Sequence, residues 1–207
     1  MPKKSNGRGD TMRRRLAHEA ARLIAEHGIE NYRLAKRKAA HKLGVSERNF
    51  LPANAEVHSA LAEYQRLFDG AAHSDRLLEF RRTAREAMLM FGDFQPRLVG
   101  PVLAGTATRH SEVNLHLFAD APEDVAMRLL DDRIAYRSAE KRIRYVDDRV
   151  IRYPSFRFKA FCNSIEIVVF PTDGLREAPA CPVNGRPMQR ANLKEVERLL
   201  DAMHADN

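Results

Sequence analysis

The apolar residues change their spacing once along the chain, and that change decides which class of fold is open to it. Up to Phe91 they recur every three or four residues. Leu16, Ala20, Leu23 and Ile24 make one stripe, and Leu34, Ala35, Ala39 and Leu43 a second. Val57, Ala60, Leu61, Tyr64, Leu67 and Phe68 make a third, and Leu77, Phe80, Ala84, Met88 and Phe91 a fourth. Each is one face of a helix, with Gly28 and Gly44 placed as stops for the first two and residues 70–74 as a polar break before the fourth. Beyond Gly92 the apolar residues alternate. Val113, Leu115 and Leu117 point one way while Glu112, Asn114 and His116 point the other. Residues 97–100 read as a short strand, 134–137 and 142–146 as weaker ones. Phe156, Phe158 and Phe161 fall in another strand, and residues 165–170 in a strong one. Asp120-Ala-Pro-Glu123 reads as the capped start of a helix to about Asp132. Asn192-x-x-Glu195 opens a last helix with Leu193, Val196, Leu199, Leu200 and Met203. A long Pro- and Gly-containing connection, 171–191, precedes it. The pattern predicts an α+β chain: a basic, disordered tail over 1–10, a helical module over 11–94 and a mixed α/β domain over 95–207.

Charge is distributed unevenly between these parts. Residues 1–50 hold 13 Lys/Arg against 5 Asp/Glu, a balance of +8, while the whole chain carries +7. The basic side chains include Arg33, Lys36, Arg37, Lys38 and Lys42 along the second helix. A field of that sign suits a polyanion such as nucleic acid, and it also suits a merely solvated face. No run of eighteen apolar residues exists, so no membrane span is expected. The basic start MPKKSNGRGDTMRRR has no apolar stretch after it, so a secretory signal is not expected either. Cys162 and Cys181 stand alone, without CxxC spacing, and a cytoplasmic setting is expected.

The stretch GPVLAGTATRHSEVNLHLF, 100–118, carries the chemistry. A glycine at a strand end lets backbone N–H groups approach a ligand closely. Glu112 and Asn114 lie two apart on one strand face, so their side chains share one space. Glu166 lies between Ile165 and Ile167, on the polar side of the later strand. If the two strands are neighbours, Glu112, Asn114 and Glu166 form a cluster of hard oxygen donors of the kind that holds Mg²⁺. His116 continues that face as a candidate base or a satisfied histidine. Lys141, Arg142, Arg144 and Arg149, and Arg176, Arg186 and Arg190 in the long connection, are candidate phosphate ligands.

Glycine loop, acid-x-polar strand and later acidic strand together resemble the nucleotidyltransferase superfamily of DNA polymerase beta type, in its small stand-alone form, over residues 97–170. The resemblance implies a nucleotidyltransferase-like mixed sheet. It implies an NTP cradled by the loop, with Gly100, Gly105, Thr106 and Ser111 as binding residues. Glu112, Asn114 and Glu166 would be the Mg²⁺-holding catalytic set for transfer of a nucleotidyl group to an acceptor hydroxyl. Two departures stand out: Pro101 replaces the usual serine, and Asn114 an acid. Either weakens or abolishes such an activity.

The chain is also similar to a proteobacterial family of small proteins, through AHEAARLIAEHGI, LAKRKAA, LVGPVLAGTA and VNLHLF. Some of its members are labelled UDP-N-acetylmuramate–alanine ligase. Such ligases need a G-x4-GK[ST] loop, which this sequence lacks. Finally, AARLIAEHGIENYRLAKRKAAHKLGVS resembles the start of a TetR-type helix-turn-helix. Pro52 interrupts the helix over 47–52 that would read the groove. The alternative function is therefore a non-catalytic nucleic-acid-binding or regulatory protein acting through its basic helices.

Overall fold

The computed structural model describes residues 6–46 and 51–205. Among them are seven α-helices and one five-stranded sheet, an α+β architecture. Contacts divide the chain into two compact units. The first holds the chain to His73 with the short returns Thr108–His110 and Pro182–Asn184; the second holds Ser74–Ala107, Ser111–Cys181 and Gly185–Asn207.

The first unit is built on α1 (Asn6–His27), α2 (Tyr32–Lys42) and α3 (Asn54–Phe68). Helix α1 begins at Asn6, inside the stretch the sequence reads as a tail; residues 1–5 and 47–50 lie outside the described residues. Leu16, Ala20, Ile24, Ala35, Ala39, Val57 and Leu61 share one core, as the spacing predicts, but Leu34, Leu67 and Phe68 of the expected stripes are exposed: the apolar spacing runs on past the part of each helix that the core covers. Gly28 takes φ +65° just past α1, as an αL stop requires. Asn31 caps α2, its Oδ1 accepting from the Leu34 N–H at 3.1 Å.

Helix α4 (Gly70–Met90) starts directly after Asp69, so the expected polar break is a single residue and 70–74 are helical. From Ser74 onward α4 belongs to the second unit, where Leu77, Phe80, Ala84, Met88 and the following Phe91 face the sheet. The strands are β1 (Arg97–Val99), β2 (Val113–Phe118), β3 (Tyr136–Arg144), β4 (Val150–Ala160) and β5 (Asn163–Phe170), in spatial order β1-β2-β5-β4-β3. Only β2 and β5 pair in parallel. The helices between and after them are the short α5 (Gly100–Ala104), α6 (Pro122–Asp131) and α7 (Leu193–Ala205).

One face of the sheet is apolar. Val113, Leu115, Leu117, Ile165, Ile167, Val169, Phe156 and Phe158 pack with α4, Val125 and Leu129 of α6, and Val196 and Leu200 of α7. The other carries Phe118, Val168 and Phe170 beside Ile143, Tyr153 and Leu175, together with the polar residues of β2.

Three further expectations change in the second unit. The two weak strands over 134–137 and 142–146 are one continuous edge strand, β3; its middle, Ser138-Ala139-Glu140-Lys141, holds only one small apolar residue and shows no apolar alternation. Phe161 is not in a strand: with Cys162 it forms the two-residue β4–β5 turn, both at positive φ (+53° and +68°). Asp120 does not cap α6, whose N-cap is Ala121. Its carboxylate instead accepts from the Thr172 N–H (3.0 Å) and hydroxyl (2.8 Å), tying the ends of β2 and β5 together.

Candidate functional site

The site is assembled by strand register. Asn114 of β2 lies directly opposite Glu166 of β5, and Arg157 of β4 lies opposite Glu166 on its other side. Same-face neighbours of this kind hold their side chains close. Glu112 precedes β2 by one residue, on the side of the pleat that Asn114 occupies. Gly100 closes the back of the cluster: it takes φ +74°, and a Cβ there would stand 3.1 Å from Asn114 Nδ2. Asn114 Nδ2 itself donates to the Glu112 carbonyl at 3.2 Å. The structure thus brings Gly100, Glu112, Asn114 and Glu166 to one end of one sheet face.

Two cations complete the cluster. Arg157 Nε lies 3.1 Å from Glu112 Oε2, and its Nη2 donates to Glu166 Oε1 at 3.1 Å. Lys141 Nζ, reaching across from β3, donates to Glu166 Oε2. Glu166 is 8% exposed, whereas the Lys141 and Arg157 side chains are 40% and 55% exposed. The acids are therefore inside, the bases outside, and the four charges cancel.

The remaining loop residues lie elsewhere. Helix α5 carries Pro101 at its start and spans about 7.5 Å. Gly105 and Thr106 sit at its far end, where both their N–H groups donate to the Pro101 carbonyl. A Cβ on Gly105 would approach Leu77 and Arg81 of α4, at 3.9 and 4.0 Å, not the acids. Thr106 is buried, and Ser111 is half-buried just before Glu112.

Along the same face, His116 is 4% exposed. Its Nδ1 accepts from Arg190 Nε at 3.2 Å. Burial first, then Arg190 and Lys141, push its pKa well below the ordinary histidine value, so the ring is neutral. Arg190 lies over the rings of Phe118 and Phe170 and donates from Nη1 to the Gly174 carbonyl at 2.8 Å. The backbone of Ala191 pairs with Leu98 of β1, which brings Arg190 over β2. Of the other basic candidates, Arg144 pairs with Asp148, and Arg149 with Asp147 and Glu177.

Sequence reasoning passed over Arg157. Its signal is its position between Phe156 and Phe158, which places it on the face away from the core.

On α2, Arg33, Arg37, Lys38 and Lys42 are exposed, and Lys42 pairs with Glu19 at 2.9 Å. Lys36 is turned inward, donating to the Pro52 carbonyl (3.0 Å) and Asn54 Oδ1 (2.8 Å). The groove-reading helix expected over 47–52 falls mostly on residues 47–50, outside the described residues.

No protein-family model matches the chain, and no curated protein or solved structure shows significant similarity to it. Among the described residues no group of three or more His, Cys, Asp or Glu side chains is arranged to hold a metal ion, and no helix is long and apolar enough to cross a membrane.

Proposed function

We propose that this chain is a nucleotidyltransferase-like protein that binds a nucleotide at the Gly100–Asn114–Glu166 end of its sheet. The observation that supports this reading is the register of β2 against β5. It sets Asn114 beside Glu166, with Glu112 joined to Glu166 through Arg157 and a positive-φ glycine against Asn114. A strand that needed only a polar outer face would not require that convergence.

The resemblance also implies Mg²⁺ at Glu112, Asn114 and Glu166. As arranged, these residues do not fit a divalent ion. Both Glu166 oxygens accept hydrogen bonds from Lys141 and Arg157, and Glu112 Oε2 is ion-paired with Arg157. Asn114 is uncharged and adds no negative charge to offset a divalent ion. The reading is therefore nucleotide binding, and no transfer step is routed through a metal.

The test is thermal stability against each NTP. A ligand at a hundred times its Kd adds about 2.7 kcal/mol. The shift is expected in the parent, lost in Asn114→Leu, and kept in Arg33→Ala/Arg37→Ala/Lys38→Ala. No shift with any NTP sinks the proposal.

A second reading has its own observation: Arg33, Arg37 and Lys38 are exposed on one helix within the +8 region. It is the binding of nucleic-acid backbones without base readout, and the salt dependence of binding tests it.

A further inference from the structure

Arg157 and Lys141 do more than balance charge. An arginine has five N–H donors and a lysine three. Arg157 spends one on Glu166 while its Nε ion-pairs with Glu112, and Lys141 spends one on Glu166. Both side chains lie outside the carboxylates they bind, so a molecule arriving at this end of the sheet meets donors first. A divalent ion must displace hydrogen-bonded cations that already neutralise its ligands, and Mg²⁺ also gives up its own waters reluctantly.

We infer that Lys141 and Arg157 take the electrostatic place of a divalent metal at the Glu112–Glu166 pair. The chain supplies its own cations, excludes the ion, and meets a polyphosphate with the spare donors of these two side chains. The last clause rests on the nucleotide reading above; the exclusion of metal does not.

Mn²⁺ is the probe for the exclusion, its free fraction read by electron paramagnetic resonance on the full-length protein. The parent is expected to show no saturable site that depends on Glu166. Lys141→Met frees one Glu166 oxygen while Arg157 still bridges both acids and keeps the cluster together. It is expected to gain Mn²⁺ affinity at least about tenfold, more so when combined with Arg157→Met, and Glu166→Gln on the Lys141→Met background should abolish the gain. A Glu166-dependent Mn²⁺ site in the parent, or no gain in Lys141→Met, overturns the inference.

ATP binding in EDTA and in Mg²⁺ tests the polyphosphate. Comparable affinity in both, weakened about tenfold by Lys141→Met in EDTA, supports the inference. ATP bound only with Mg²⁺ overturns the metal-free half. ATP bound under neither condition overturns that half and the nucleotide reading together, while the Mn²⁺ result stands.

Discussion

At the scale of single residues, the site rests on one backbone conformation and one neutral ring. Gly100 and Gly44 both sit at positive φ, +74° and +64°. Among the described residues nothing lies within 4 Å of a Cβ added at Gly44, whereas one at Gly100 presses on Asn114. Gly44→Ala is therefore expected to cost only the αL strain, about 1 kcal/mol, and Gly100→Ala about 2 kcal/mol or more. Urea midpoints read the difference, and equal costs would mean that Asn114 gives way freely. His116 makes a pH-dependent statement. Its folded pKa is lowered, so below about 6.5 the unfolded chain takes up a proton that the folded chain refuses. The resulting stability is whole above that pH and falls as the pH drops through it. His58, also lowered by burial, acts in the same direction. The carboxylates held low, Glu19 and Asp120, lose their contributions only at still lower pH. Between about pH 7.5 and 5.5, His116→Gln is expected to show a smaller fall in melting temperature than the parent. An unchanged fall would assign the acid sensitivity elsewhere.

At the scale of elements, periodicity was readable where an element has a buried stripe and unreadable where it has none. The stripes through α1, α3 and α4, the alternation of β2 and the apolar run of β5 each declare a core face. Edge strand β3 buries little, so its middle carries no apolar signal. Asp120 carries a cap-like sequence, but Thr172, far along the chain, competes for its carboxylate. The acids of the site were legible because each lies among alternating apolar residues. That Arg157 and Lys141 join them depends on the order and register of β3, β4 and β5, which no local pattern encodes. The β4–β5 turn follows the same logic: a two-residue hairpin with both φ positive calls for Asn-Gly, yet Phe161-Cys162 occupies it. Its conformation is held from outside. Asn163 Nδ2 donates to Thr83 Oγ1 (2.9 Å) and Glu79 Oε1 (3.2 Å) of α4, and the Thr83 hydroxyl donates to the Phe161 carbonyl at 3.4 Å. Phe161→Asn/Cys162→Gly is expected to stabilise the protein by about 1 kcal/mol, read by urea denaturation. A loss of stability would show that the exposed Phe161 ring contributes more than the strain costs.

At the scale of the whole molecule, the charge is polarised along the sequence, and the structure sorts the basic side chains by what they already do. Lys36 is anchored to Pro52 and Asn54, and burial lowers its pKa. Lys42 shares Glu19 with Arg22. Arg33, Arg37 and Lys38 are exposed on α2. Counterion release makes these two groups separable. Each phosphate neutralised on duplex DNA contributes roughly −0.9 to the slope of log K against log salt. Arg33→Ala/Arg37→Ala/Lys38→Ala is thus expected to flatten that slope by up to about 3. Lys36→Ala should do the reverse: it leaves the slope alone and costs about 1 kcal/mol, because the Pro52 carbonyl and Asn54 lose a charged donor. The measurement is anisotropy of a labelled duplex across a salt series, with melting temperatures taken in parallel. If the triple variant keeps the parent slope, the exposed face of α2 meets only solvent, and the excess charge of the first fifty residues does not act through this helix.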